Sequence, residues 1–233
     1  YVLKAQRVEA ALPWLYLPGS STGDLQEALS VLLGTEAQGL SPAVVSRLKA
    51  EWAEAYAAWN RRDLSDEHYV YVWVDGIYSA LRGEDDRLCL LVLIGVNEQG
   101  EKRLLALSDG DRESKASWLA LLQDLQARGL SAPPALGIGD GALGFWAALD
   151  EAWPQTRHQR CWVHKTANVL NALPTSIQGK AKAGLQEIWM AETQAQANTA
   201  FDRFARDFGA KYPKAVALLA KDRAALLGSV DIL

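Results

Sequence analysis

The ten residues YVYVWVDGIY, at positions 69–78, decide how the rest of this sequence can fold. Valines alternate with aromatic side chains as far as Val74, and β-branched and aromatic residues in this pattern favour a buried strand. The run then delivers one carboxylate, Asp75. We therefore predict a core strand that presents an acidic side chain at or near its end.

A second strand-like run also leads to an acid. The apolar residues from Ala135 to Ile138 precede Gly139-Asp140-Gly141, and a helical pattern follows directly. Two strands that each present an aspartate are typical of a metal-dependent phosphoryl-transfer site, because Mg²⁺ prefers carboxylate oxygens and two ions about 4 Å apart can bind the attacking and leaving oxygens. Each aspartate alone is also a common turn residue. The pair of strands is what favours a metal site.

The overall composition predicts a folded, soluble, intracellular protein. Of the 233 residues 49% are hydrophobic, and the net charge of −4 disfavours general affinity for nucleic acid, so any DNA contact must be local. No apolar stretch approaches the ~20 residues of a membrane span, and no secretory leader opens the sequence. Two cysteines far apart, Cys89 and Cys161, agree with a reducing compartment.

The first 66 residues are predicted to be helical and to bind DNA. An amphipathic pattern from Asp24 to Gly34 is followed by a turn and by a longer helix that starts at Ser41-Pro42, which is the skeleton of a helix-turn-helix. The second helix would present Arg47 and Lys49 to the major groove. An ordinary helical hairpin explains the same pattern equally well.

The remaining elements follow the order β-β-β-α-β-α-β. Short turns join the first three strands, which predicts an antiparallel meander, and Ser114 is expected to cap a helix that ends at Arg128. This α/β (α+β) order resembles the ribonuclease-H-like fold with its mixed sheet, in which the first and fourth strands are neighbours, so Asp75 and Asp140 are expected to meet. The second helix is expected from Leu143 to Ala152 and the last strand from Thr156 to Trp162. After Lys165 the sequence is helical to its end, with its last helix expected from Pro213 to Leu227.

Three stretches resemble the Mutator-type transposases of bacterial insertion sequences. They are WVDGIY at 73–78, GDGALGFWAAL at 139–149 and RCWVHKTANVLN at 160–171. The similarity extends to the N-terminal LPWLYLPGSSTGDLQEAL and SPAVVSRLKAEW. It implies an Asp-Asp-Glu transposase in which Asp75 and Asp140 are the first two metal-binding acids. It also implies Mg²⁺ or Mn²⁺ as cofactor, and a reaction that cuts a DNA strand and joins its 3′ end to target DNA.

The resemblance also implies partners and a domain layout. The expected partners are DNA, meaning the terminal repeats of the element and the target, and further copies of the chain in a homodimer or larger assembly. No membrane is expected, and the location would be the bacterial cytoplasm at the nucleoid. The predicted domains are a helical DNA-binding region at 1–66, a ribonuclease-H-like core at 67–165 and an all-helical insertion at 166–233.

Cys161 and His164 match the Cys-x-x-His signature of this family. A structural zinc site needs four ligands, and only His158 and Cys89 could complete one, so zinc is disfavoured. We expect Cys161 to pack near the active site and His164 to orient a neighbour or approach a phosphate. The basic residues nearby form a candidate DNA-contacting patch, for which an ordinary solvated face is the alternative. That patch consists of Arg157, Arg160 and Lys165.

The third acid of the family has no counterpart before Leu233. In the family it is a glutamate that follows the all-helical insertion, in a stretch resembling Asn-Pro-Ile-Glu, whereas Glu187 and Glu192 have the pattern of ordinary surface residues. We therefore expect a chain that ends inside the insertion and has weak or no strand-cutting activity alone.

Two other functions stay open. One is a non-catalytic DNA-binding module or regulator derived from a transposase. The other is a ribonuclease-H-like nuclease unrelated to transposition, which would need further acids from a loop after the third strand. The candidates there are Asp109, Asp111 and Glu113.

Overall fold

The computed structural model describes residues 42–80, 87–110 and 112–228. The first helix of the predicted helix-turn-helix lies outside the described residues, so that motif stays a prediction. The chain separates into two compact units, Tyr1–Arg62 with Ala80–Arg87 and Asp63–Ser79 with Leu88–Leu233. Each unit is considered by itself below.

The described part of the first unit is mainly one helix, α1, Pro42–Asn60. It begins where proline at the first helical position predicts. Both candidate DNA-binding residues lie on its exposed surface, and the guanidinium of Arg47 donates to Glu51 over 2.7 Å. At the other end Arg62 stacks on Trp59, 4.5 Å from the ring centroid, and donates to its carbonyl oxygen.

The second unit is built on a five-stranded mixed sheet with the spatial order β3-β2-β1-β4-β5. The strands are β1 Tyr71–Ala80, β2 Arg87–Val96, β3 Lys102–Gly110, β4 Leu136–Gly139 and β5 Arg157–Arg160. β2 and β3 pair antiparallel, whereas β4 pairs parallel with both β1 and β5. The prediction that the first strand is central and lies beside the fourth is confirmed.

Alternation along β1 divides its side chains between the two faces of the sheet. Val72 and Val74 are buried in a hydrophobic core, which the helices α2, Lys115–Ala127, and α3, Leu143–Ala152, complete. Within this core the rings of Trp118 and Phe145 meet edge to face at 5.3 Å. As predicted, Ser114 is the N-cap of α2, where its hydroxyl oxygen accepts a hydrogen bond from the backbone of Ser117.

Five helices follow the sheet and enclose a second hydrophobic core. They are α4 Trp162–Asn171, α5 Thr175–Trp189, α6 Gln194–Gly209, α7 Pro213–Ala220 and α8 Arg223–Leu226. Among the described residues no helix combines the length and the hydropathy that a transmembrane segment requires.

Two predicted boundaries in this region are wrong. The run from Thr156 to Trp162 is not all strand, because β4 ends at Gly139 and offers its last carbonyl to the backbone N–H of Cys161 over 2.7 Å, after which α4 begins. The helix expected from Pro213 to Leu227 is divided into α7 and α8 at Asp222.

Asp222, between α7 and α8, forms ion pairs with Arg160 at the end of β5 and with Lys165 in α4. Lys165 is buried, and its ammonium group pairs with the Asp222 carboxylate and donates to the carbonyl of Leu218 over 2.9 Å. Arg160, at the end of β5, places its Nε 3.1 Å from the same carboxylate oxygen. Burial raises the pKa of Asp222, but the hydrogen bond and charge of Lys165, followed by the charge of Arg160, outweigh it and leave that pKa lowered.

We expect Asp222→Asn to lower the free energy of unfolding by about 3 kcal/mol, since removing one member of a buried ion pair strands the other charge. Urea unfolding at neutral pH measures this loss. The matched control is Glu187→Gln, because Glu187 belongs to an exposed pair with Arg203 in the same helical region, and such pairs contribute about 0–1 kcal/mol.

The same contribution has a defined pH window. Because the folded-state pKa of Asp222 is lowered, its stabilisation is complete above about pH 4 and is lost as pH falls through that lower value. The difference between wild type and Asp222→Asn should therefore shrink on acidification. A difference that stayed constant down to full acid unfolding would contradict the ion-pair interpretation.

Candidate active site

The register of β1 and β4 brings the two predicted aspartates to the same level of the sheet. Trp73 pairs with Ile138, and Asp75 and Asp140 each follow two residues later. Neighbouring strands lie about 4.8 Å apart, so the two acids leave adjacent strands side by side. Asp75 is exposed and Asp140 is half-buried.

The Gly-Asp-Gly sequence is both a turn and part of the site. One carboxylate oxygen of Asp140 accepts the backbone N–H of Ala142 over 2.8 Å, which fixes the direction of the carboxylate at the start of α3. Gly141 has a φ of +93°, and a Cβ on it would lie 1.3 Å from a guanidinium nitrogen of Arg160. Both the turn and the metal-site interpretations of this segment are therefore compatible with the same geometry.

The Cys-x-x-His spacing places His164 beside Asp75. The backbone N–H of Cys161 donates to the carbonyl of Gly139, the last residue of β4, and α4 begins at the next residue. His164 lies three residues after Cys161, in the first turn of α4. Its Nε2 is 3.9 Å from a carboxylate oxygen of Asp75. Its Nδ1 is buried and has no hydrogen-bond partner among the described residues. The thiol of Cys161 is free and partly buried, and it lines the same cavity as His164.

Glu113 is a third carboxylate near β1, on the face of the strand that carries Val72 and Val74. It lies between β3 and α2, and its carboxyl carbon is 2.2 Å from the position that a Cβ on Gly76 would occupy. Burial raises the pKa of Glu113, and the negative charges of Asp140 and then Asp75 raise it further, against smaller opposing effects of Tyr78 and His164. The three carboxylates therefore interact.

Sequence reasoning considered Glu113 only for a different nuclease and did not connect it with Asp75. A signal was present, since glycine inside a strand often marks the close approach of another group, and Gly76 directly follows Asp75. Of the other two acids proposed for that loop, Asp109 lies in β3 opposite Leu90, because the strand continues to Gly110. Asp111 lies outside the described residues.

An apolar cavity of about 520 Å³ lies on the face of β1 that carries Asp75, which is the one of these three carboxylates that lines it. Tyr71 and Trp73 line it from the sheet. Trp162 and Trp189, whose ring centroids are 5.5 Å apart, line it from the helices. The cavity thus places aromatic surface next to the acidic residues.

The three residues of the predicted basic patch have different surroundings. Arg157 is exposed, but Lys165 is buried and only 14% of the Arg160 side chain is exposed. Both of the latter pair with Asp222. Their charges therefore neutralise an internal carboxylate, which leaves Arg157 as the exposed member of this set.

The two possible extra ligands for zinc at Cys161 and His164 have other surroundings. His158, one of the two possible extra zinc ligands, instead pairs with Asp150 over 2.8 Å and stacks on Trp146, and Cys89 is buried in the sheet core. Among the described residues no group of three or more His, Cys, Asp or Glu side chains is placed to hold a metal ion. Mg²⁺ needs no such group, because it keeps several waters and is bound by one or two carboxylates together with substrate phosphates.

Comparison with known proteins gives a consistent family. The sequence matches the family model "Transposase, Mutator family" over residues 1–231. It is 62% identical over 207 residues to the transposase for insertion sequence element IST2 of Acidithiobacillus ferrooxidans, covering 89% of this chain and 70% of that relative. For the IS6120 transposase of Mycolicibacterium smegmatis the identity is 51% over 216 residues, covering 93% of this chain and 66% of the relative.

A more distant relative is the transposase for insertion sequence element IS905 of Lactococcus lactis subsp. lactis. It is 26% identical over 215 residues, which are 92% of this chain and 54% of the relative. The chain therefore spans between 54% and 70% of the length of these three proteins.

Glu113→Gln should raise the melting temperature by a few degrees at neutral pH in chelator-treated buffer, since it removes one of three like charges. The folded-state pKa of Glu113 is raised above its ordinary value near 4.5. The charged carboxylate therefore lowers the stability of the wild type at neutral pH, and the wild type regains that stability as pH falls through the raised pKa. The difference should therefore vanish below about pH 4.5. Thermal unfolding followed by circular dichroism measures both effects.

The control is Glu98→Gln, the same chemical change in the exposed turn between β2 and β3. It should leave the melting temperature unchanged. If Glu113→Gln lowered the melting temperature at neutral pH, the carboxylate would be stabilising the fold, and the repulsion inferred here would be wrong.

Proposed function

Because the chain belongs to the Mutator family of transposases, we propose that it forms the catalytic core for cutting a DNA strand and joining its 3′ end to a target. The proposed architecture is a ribonuclease-H-like sheet. The strand order, with β1 between β2 and β4 and with β4 parallel to β1, supports it. The single observation that carries the proposal is the register that aligns Asp75 with Asp140.

Asp75 and Asp140 would bind Mg²⁺ or Mn²⁺. Such ions, when bound, activate a water or a 3′-hydroxyl and stabilise negative charge on the phosphoryl oxygens. The chain itself orients the two carboxylates. Asp140 accepts a hydrogen bond from the backbone of Ala142, and Asp75 projects from a strand whose neighbouring valines are buried. Oriented carboxylates of this kind lower the reorganisation needed at the moment of reaction.

His164 would position Asp75 and contact the DNA backbone. Its Nε2 lies within 3.9 Å of the Asp75 carboxylate, so a small side-chain rotation brings the two within hydrogen-bonding distance. A histidine beside a carboxylate is held in one tautomer and can also donate to a phosphate oxygen. This gives the Cys-x-x-His signature a role at the acidic site without zinc.

DNA contacts are proposed for two separate sets of residues. In the first unit Arg47 and Lys49 lie on the exposed surface of α1, where a recognition helix would present them to the terminal repeats. In the second unit Arg157 is exposed on β5. A chain with net charge −4 must bind DNA through such local positive groups.

The test is Mn²⁺-dependent nicking of supercoiled plasmid DNA by the whole chain. We expect wild type to nick only slowly and Asp140→Asn to lose that Mn²⁺-dependent nicking, because the substitution removes the charge yet keeps an oxygen that can accept from Ala142. Asp150→Asn, at an exposed position on the same helix α3, is the control and should nick like wild type.

Absence of Mn²⁺-dependent nicking by wild type, or equal nicking by Asp140→Asn, would overturn the catalytic assignment. Retained binding of the terminal repeats without nicking would instead favour a DNA-binding regulator. Arg47→Ala should weaken that binding, as measured by gel shift.

A further inference from the structure

We infer that one face of the sheet is a docking surface for an amphipathic helix from a further polypeptide segment, of the kind that the longer relatives carry outside the matched residues. This docking surface consists of Tyr71 and Trp73 on β1 and of Val92 and Ile94 on β2, which line the apolar cavity. The inference goes beyond the proposed function, because it concerns a contact between polypeptides and needs neither metal nor DNA.

The sequence of β2 is apolar on both of its sides. Leu91 and Leu93 are buried in the hydrophobic core that α2 and α3 complete, whereas Val92 and Ile94 alternate with them and line the cavity. A strand with one solvated side alternates apolar with polar residues, but a strand covered on both sides is a nearly continuous apolar run. The run LCLLVLIGV at 88–96 is of the second kind. It therefore predicts a covering layer on each side of the sheet.

The described helices cover the docking surface only in part. Its four side chains are all half-buried. Trp162 of α4 and Trp189 of α5 line the same cavity of about 520 Å³. Val163 also lines it, and 77% of this residue is exposed. Contiguous apolar surface that stays accessible is typical of an interaction site.

The charges around the cavity favour a polypeptide over a nucleic acid. Asp75 lines the cavity and has the same sign of charge as a phosphate. Among the described residues that line it, Arg160 is the one lysine or arginine, and its guanidinium pairs with Asp222. Binding of nucleic acid depends on cationic side chains that neutralise phosphates. The apolar lining instead suits the leucine, isoleucine or phenylalanine side chains on one face of a helix.

A buried acceptor also lies at the cavity. Gln159 lines it and is only 3% exposed. Its Nε2 donates to the carbonyls of Arg160 and Leu226, each over 3.0 Å, but its Oε1 is buried and has no partner among the described residues. An unpaired buried acceptor is unfavourable. A donor group on a docked segment would pair with it.

The lengths of the relatives indicate a source for the helix. The matched residues make up 70% of the IST2 transposase and 54% of the IS905 transposase, so each protein has a substantial part outside the match. In this chain α8 contributes Leu226 to the cavity lining. At Gly228, the last residue that the structure describes, a Cβ would lie 3.2 Å from the carbonyl oxygen of His158 on β5. The described part of the chain therefore ends beside the cavity.

The test is a titration of the whole chain with the parts of the IST2 transposase that lie outside its 207 matched residues. Each contiguous part is produced as a separate polypeptide. Isothermal titration calorimetry at several temperatures, without metal or DNA, measures the affinity and the heat-capacity change. We expect one of these polypeptides to bind with a negative heat-capacity change, which is the signature of apolar burial.

Val163→Glu should weaken this binding by about 10-fold or more, because the carboxylate would lose its water on entering an apolar interface. The exposure of Val163 makes the substitution compatible with the fold. Leu143→Glu is the matched control, since Leu143 is 84% exposed and is not among the residues that line the cavity. It should bind the polypeptide like wild type.

Two results would overturn the inference: wild type binds none of the polypeptides, or Val163→Glu binds as well as wild type. Equal loss of binding in Val163→Glu and Leu143→Glu would show a general effect of added negative charge and would also contradict a localised docking surface. None of these results bears on nicking, which is measured with Mn²⁺ and DNA on the chain alone. The inference and the proposed function therefore fail independently.

Discussion

The parallel pairing of β1 with β4 is the constraint on which the site depends. A shift of one residue would turn every side chain of β1 to the other face of the sheet, which would bury Asp75 and expose Val72 and Val74. Burying a valine is worth roughly 1.5–3 kcal/mol, so these two valines hold the register. The position of a reactive carboxylate is thus set by hydrophobic packing on the opposite face of its own strand.

The acidic site and the helical region make opposite electrostatic contributions to the fold. Around Asp75 and Asp140 like charges lie near each other, and the proposed cation would neutralise them. At Asp222 two cations meet one carboxylate, and this pairing stabilises the corner between α7 and α8. Arg160 ends β5 and Lys165 lies in α4, which follows it. One short stretch of sequence therefore supplies both cations of the second arrangement, and His164 in the same stretch lies beside Asp75.

Much of the fold could be predicted because its signals are local. Alternation identified β1, the cap at Ser114 identified the start of α2, and the run from Leu143 to Ala152 was predicted as a helix with the bounds that the structure shows. The parallel pairing of β1 with β4, the strands that lead to Asp75 and Asp140, also followed, since the order of elements restricts which strands can be neighbours.

Long-range contacts explain what could not be predicted. Lys165 belongs to a stretch rich in basic residues and resembled a surface patch, but its partner Asp222 is 57 residues away in the sequence. Glu113 has no special sequence pattern of its own, and its proximity to Asp75 depends on how α2 and α3 pack against β1. The domain boundaries at residues 66 and 165, and the first helix of the helix-turn-helix, stay predictions.

Gly141 gives the acidic turn a mechanical connection to the helices. The guanidinium of Arg160 lies in the space that a side chain at position 141 would fill, and the same guanidinium reaches Asp222. Any movement of the turn that carries Asp140 therefore has to displace Arg160 and, through Asp222, the anchored ammonium of Lys165. The conformation of the Gly141 turn and the packing of α7 and α8 therefore depend on the same Arg160 side chain.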